Sequence, residues 1–324
     1  MKHLKHLILL VFLPFCFIGC SSSKKPVSSW RESNGKIKVL STTAMINDLV
    51  QQVGKERVDA IPLISGELDP HSYELVKGDD EKLSSAQVVF SNGLGLEHGA
   101  SLRYWIEKHP SQVALGDEIR KNYPERIIRE DKVVDPHIWM DISLWALAID
   151  PIVKTLSEID PEGAAFFAEN GEKLHAEMMK EHEKVREQLR NIPQERRFLV
   201  TSHDAFNYFT RVYLSEPGEE EWEQRFEAPE GLSPDGQLSA KDIQRIIDHL
   251  CLYKIEVVFP ESNVSRDSLR KIVAACREKG LRVKISEQVL YGDAMGGEGS
   301  NADTYLKMMQ HNSNVLFRDW SCNE

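Results

Sequence analysis

Leu68-Asp69-Pro70-His71-Ser72-Tyr73-Glu74 contains a tripeptide that returns at Asp135-Pro136-His137. Proline fixes its own φ and pushes the residue before it towards extended geometry, so each turn presents its histidine on a stiff loop. A third histidine lies in Val200-Thr201-Ser202-His203-Asp204-Ala205-Phe206, after the apolar run Phe198-Leu199-Val200 and before a helix-like stretch. Asp293 sits in the glycine-rich loop Leu290-Tyr291-Gly292-Asp293-Ala294-Met295-Gly296-Gly297. Three imidazoles and one carboxylate make a full donor set for a first-row transition metal. Asp69, Asp135 and Asp204 stand beside the histidines, where a carboxylate either orients an imidazole ring or caps a helix.

Around these loops the chain alternates strand and helix. Ile37 to Ser41 and Val58 to Ile64 read as strands, with Thr42-Thr43 capping a helix from Ala44 to about Val53. A short helix over Asp79 to Ala86 precedes the strand Val88 to Phe90, and Val113 to Leu115 reads as a fourth strand. That alternation predicts an α/β fold with a parallel sheet, whose ligands gather beyond the carboxyl ends of the strands. From Asp160 to Asn191 the charged sequence carries Phe166, Phe167, Leu174, Met178, Val185 and Leu189 at helical spacing. It predicts one helix of about 30 residues, on the order of 45 Å long, with His175 and His182 on a solvated face. A second alternating unit follows, with strands at Phe198 to Thr201, Ile255 to Phe259 and Leu281 to Ile285. Its helices are expected at Ala205 to Val212, from a Ser239 cap, and at Ser268 to Lys279. The expectation is two βα lobes joined by one long rigid helix: residues 36–159, 160–192 and 193–324.

The chain has 324 residues, length for two cores, and its 41% hydrophobic and 28% charged residues are those of a globular protein. A net charge of −11 argues against nucleic acid as a partner. Residues 1–20 read as an export signal: Lys2 and Lys5 head an apolar run from Leu7 to Ile18, too short to span a bilayer comfortably. Phe17-Ile18-Gly19-Cys20 resembles a bacterial lipobox, which would make Cys20 a lipidated anchor and residues 21–35 a serine-rich tether. Cys251, Cys276 and Cys322 show no C-x-x-C spacing, which leaves room for one pair but no zinc knuckle.

Taken together the motifs resemble the metal-binding receptors of bacterial ABC importers, the cluster A-I, TroA-like proteins of solute-binding family 9, in wording nearest their chlamydial members. The resemblance rests on the two Asp-Pro-His turns and on Asn92-Gly93-Leu94-Gly95-Leu96-Glu97. It extends to Thr201 through Phe209, Glu230-Gly231-Leu232-Ser233-Pro234, Tyr291-Gly292-Asp293 and Tyr305 through Asn312. It implies His71, His137, His203 and Asp293 as the ligands of one divalent ion, zinc, manganese or iron, carried as cargo. It also implies a monomeric periplasmic receptor, with no enzymatic activity, that serves an ABC permease and its ATPase subunit. The long histidine-rich loop of many zinc-specific members is absent, and the family's final helix is expected to be short or replaced by Leu316 to Trp320.

Two rival classes remain. A zinc hydrolase needs three protein ligands, an open position for water and a general base, and the chain has no H-E-x-x-H. An envelope adhesin or structural lipoprotein would bind metal only incidentally. Glu261, beyond the strand ending at Phe259, is either a spare carboxylate near the cleft or a structural hydrogen-bond partner. The Gly93 to Gly95 stretch is no phosphate loop, since no Lys-Ser/Thr follows it.

Overall fold

The computed structural model describes residues 30–130, 133–234 and 239–321. The export signal, Cys20, most of the tether and Cys322 lie outside the described residues. The first sheet is parallel throughout, with strands β1 (Ile37–Ser41), β2 (Val58–Pro62), β3 (Val88–Ser91) and β4 (Gln112–Ala114) in the order β2-β1-β3-β4. Every residue of β1 is buried, as a central parallel strand requires, and its Lys38 is paired with Asp59 at 2.7 Å. Thr43 caps α1 (Ala44–Gly54) through a bond from Ile46 N. Helices α2 (Asp79–Ser85), α3 (Ala100–Lys108) and α4 (Leu115–Asn122) complete the unit. A short antiparallel pair, β5 (Arg129–Glu130) and β6 (Val133–Val134), leads into the second Asp-Pro-His turn.

The second unit repeats this order with shorter strands. β7 (Leu199–Val200) pairs with β8 (Phe226–Glu227), and β9 (Val257–Val258) with β10 (Lys284–Ile285), both in parallel. Phe259 N donates to Val200 O at 2.8 Å, which sets the two pairs side by side as β8-β7-β9-β10. The regular pairing is only two residues long at each strand, so the expected four- and five-residue strands are mostly extended loop. The expected helix over Ala205 to Val212 is one α-turn, Asn207–Phe209, followed by a π-turn, Thr210–Leu214.

Between the units α5 (Ile149–Ile159) runs into α6 (Ala164–Arg190), 27 residues long. Its start is later than expected, because Pro161–Gly163 forms a 3-10 turn whose Gly163 N bonds the Asp160 side chain. Neither is α6 a rod in solvent. It packs against α1, α5 and α9 (Tyr305–Ser321) and buries Phe167, Leu174, Met178, Val185 and Leu189. One apolar core runs from Val39 through Phe167 and Met178 to Phe259 and Trp320, so both units share it. His182, read as solvated, is buried, and its Nδ1 accepts from Tyr213 Oη at 2.9 Å.

The closing helix corrects a second expectation. α9 runs unbroken through Leu316 and Trp320, neither short nor replaced. α7 (Ala240–Leu252) starts at Ser239 with a full capping box to Asp242, and α8 (Asp267–Glu278) covers the last strand pair. Cys251 is exposed, Cys276 is buried, and both are free thiols. Among the described residues no helix is long and apolar enough to cross a membrane.

Candidate metal centre

Both Asp-Pro-His turns close in the same way. His71 N donates to Asp69 Oδ1 at 2.8 Å, and His137 N to Asp135 Oδ1 at 2.9 Å. Each is an Asx-turn, in which the aspartate side chain accepts from the backbone N–H two residues on. The glycine-rich loop after β3 supports them. Its Glu97 accepts from Thr42 Oγ1, Asn92 N and Gly93 N, and the Asn92 side chain donates to Pro136 O at 3.0 Å. Burial, only partly offset by these donors, raises the Glu97 carboxyl above its ordinary range.

In the second unit His203 follows β7, and Glu261 follows β9. Glu261 Oε1 accepts from the backbone N–H of Ser202 and His203, at 3.0 and 2.8 Å. Its Oε2 lies 2.7 Å from His203 Nδ1. Asp293 reaches the same place from the loop beyond β10. A Cβ on its neighbour Gly292 would fall 2.4 Å from Glu261 Oε2, so only glycine lets this loop approach.

These loops bring His71, His137, His203 and Asp293 together, with one donor atom from each lying within 4.8 Å of every other. Nε2 of His71 is 3.2 Å from Nε2 of His137 and 3.6 Å from Asp293 Oδ2. Asp293 Oδ1 is 3.4 Å from His137 Nε2, and its Oδ2 is 3.1 Å from His203 Nε2. Ligands about 2.1 Å from a common centre stand about 3.4 Å apart in a tetrahedron, so these edges fit one first-row ion. Asp293 Oδ2 faces His203 Nε2, and Oδ1 is buried without a hydrogen-bond partner among the described residues, an arrangement a cation relieves.

Electrostatics point the same way. Burial alone would raise the Asp293 carboxyl, but the three facing imidazoles, His203 foremost, hold it well below the usual carboxylate range. Burial pushes His71 down to about 4 against the pull of Asp293, which leaves its ring neutral and ready to donate a lone pair. Burial would also lower His203, yet Glu261 and Asp293 on its two nitrogens outweigh it and raise the ring well above its ordinary value.

Of the three aspartates beside the histidines, Asp135 bonds a ring: its Oδ1 lies 2.7 Å from His137 Nδ1. Asp69 holds the backbone and hydroxyl of Ser72, and Asp204 accepts from Asn207 Nδ2 at 2.8 Å. Asn207 donates as well to Asp135 Oδ2 at 3.1 Å, so the second unit steadies the carboxylate that orients His137. Trp139 Nε1 donates to Gly292 O at 2.8 Å, and Tyr208 Oη to Asp135 O at 3.0 Å. Sequence reasoning did not single out Asn207, Trp139 or Tyr208, although all three fall inside the motifs around His137 and His203.

Four converging protein donors are a set suited to holding an ion, whereas zinc catalysis keeps one of four positions open for water or substrate. This is the build of a metal-binding solute receptor. The family model described as "Zinc-uptake complex component A periplasmic" matches residues 39–318. The metal-binding protein YtgA of Chlamydia pneumoniae is 39% identical over 302 residues, 92% of this chain and 90% of that protein. The manganese-binding lipoprotein MntA of Bacillus subtilis is 33% identical over 310 residues, 95% of this chain and 96% of that one. The crystal structure of Fe(III)-bound YtgA from Chlamydia trachomatis superposes with a TM-score of 0.83 at 38% identity, covering 88% of this chain and 98% of that one. The chain belongs to this family. It is an extracytoplasmic, metal-binding substrate-binding protein of an ABC transporter, a class that implies a permease partner and is not enzymatic.

Proposed function

We propose that His71, His137, His203 and Asp293 hold one divalent transition metal ion as cargo, and that the receptor hands it to a membrane permease driven by a separate ATPase. The observation that carries this reading is the mutual approach of the four buried donors, with Asp293 Oδ1 left without a hydrogen-bond partner among the described residues. Relatives are named for manganese, one is solved with Fe(III), and the family description names zinc. The cargo is zinc, manganese or iron, and supply and lobe geometry select among them more than raw affinity does. On this reading residues 36–159 and 193–324 are the two lobes, and 160–192 links them. The shared apolar core supports a stiff receptor whose lobes shift modestly, since packed cores resist continuous deformation. Residues 1–20 are the export signal with its lipobox: cleavage before Cys20 leaves that cysteine as the lipidated first residue, 21–35 is the tether, and the receptor works as a monomer. That MntA is called a lipoprotein supports the anchor.

The test is competitive titration of the metal-stripped full chain with zinc, manganese and iron(II) under anaerobic conditions, with bound ion counted by elemental analysis. One tight site per chain is expected. No tight site for any of the three would move the reading to an adhesin or a different ligand.

A further inference from the structure

The four donor residues are 0 to 3% exposed, so a hydrated ion cannot reach them without shedding water on the way. His71 stands beside an exposed histidine. The His98 ring lies 5.7 Å from the His71 ring, at 51° between planes, with its own side chain open to solvent. The two residues are tied through the backbone, since His98 N and Gly99 N both donate to His71 O, at 3.2 and 3.1 Å. The two loops pack closely: a Cβ on Gly99 would fall 2.0 Å from Tyr73 O, and the preceding Glu97 is anchored from three sides. His98 Nδ1 faces Gly95 O at 3.4 Å, an orientation that places the ring proton there and leaves the Nε2 lone pair for an ion.

We propose that His98 is a handover ligand: the first protein group an incoming ion meets and the last it leaves. The ion exchanges one of its waters for His98 Nε2, then exchanges His98 for His71 as it passes into the buried set. No bond to carbon changes and no electron moves; each step replaces one neutral donor by another. Imidazole suits this role for zinc and iron, and a partly dehydrated ion enters the buried set at lower cost than a fully hydrated one. Because His98 is absent from the final set, its removal raises the barrier in both directions. The proposal rests on metal binding at His71, His137, His203 and Asp293.

The experiment is stopped-flow mixing of zinc with the full chain, and release of zinc to an excess of chelator, for wild type, His98→Ala and His98→Gln. Both variants are expected to slow uptake and release together by about tenfold, while the equilibrium Kd moves less than about twofold. Unchanged rates in the variants overturn the handover role. A weakened Kd with unchanged uptake also overturns it, since His98 would then belong to the final set or merely support His71. A slowing in His98→Ala that His98→Gln restores would trace to packing and reject the proposal. Wild type that binds no zinc refutes the metal reading itself, a failure separate from that of His98.

Discussion

Glu261 Oε2 lies 2.7 Å from Nδ1 of His203, and both side chains are fully buried. The Asp135 contact with His137 Nδ1 has the same length. Two of the three imidazoles therefore carry a carboxylate on Nδ1, while their Nε2 atoms face Asp293. Such partners fix the tautomer and ring angle and make the other nitrogen a better donor. Glu261→Gln should weaken zinc binding by about 10- to 100-fold and leave one site per chain. Chelator-competition titration measures it; affinity within about twofold of wild type would mean the contact is structural only.

His182 and His137 separate structure from binding. His137 Nε2 faces Asp293 within the four-donor cluster, so on the proposed reading His137→Ala should abolish tight binding. His182 instead accepts from Tyr213 Oη, which itself accepts from Ile142 N. His182→Ala leaves that hydroxyl half-satisfied in the core and should cost about 1–3 kcal/mol of stability. Metal affinity of the folded variant should stay within about threefold of wild type. Denaturant melts read the first quantity and titrations the second; a His182→Ala protein of full stability but lost affinity would overturn the assignment.

The histidine turns were legible because proline stiffens a loop wherever it occurs, a local effect that sequence carries. Glu261 was legible only as a carboxylate near the cleft or a structural partner; that it meets His203 follows from the side-by-side placement of β7 and β9, and strand pairing at such separation leaves no local signal. His182 misled for a related reason. Its neighbours Glu181, Glu183 and Lys184 are charged, while the group that buries it, Tyr213, comes from the later π-turn. In the closing helix, Asn312 and Ser313 interrupt the apolar face. Both are buried: the Asn312 side chain accepts from Tyr291 N and donates to Tyr291 O, and Ser313 pairs with Gln188 on α6. A polar residue that satisfies another segment's backbone reads as an exposed one until that segment is in place.

Gly99 couples α3 to the His71 loop. Its N–H holds His71 O, and a methyl group there would fall 2.0 Å from Tyr73 O, inside any contact distance. Gly99→Ala should push the loop off α3, lowering stability by about 1–3 kcal/mol. It should also weaken metal binding, because His71 moves with its backbone. Denaturant midpoints with and without zinc check both parts; equal midpoints for variant and wild type in both conditions would show that the loop yields freely.

Proton release should accompany capture. In the metal-free protein burial disfavours a charged His203, yet Glu261 and Asp293 outweigh it and hold the ring protonated well above its ordinary value. An ion needs the Nε2 lone pair of that ring, so binding near neutral pH must expel its proton. His71 behaves in the opposite sense: burial lowers it to about 4, so it is already neutral there and costs nothing. Apparent affinity should therefore rise by about tenfold per pH unit between about pH 5 and 7, the slope of one displaced proton. Below about 4 the slope should steepen as His71 also takes up a proton. Calorimetry in buffers of different ionisation heat counts the protons directly. About one released per ion near pH 7 is the expected result; a count near zero would mean that His203 stands neutral between its two carboxylates.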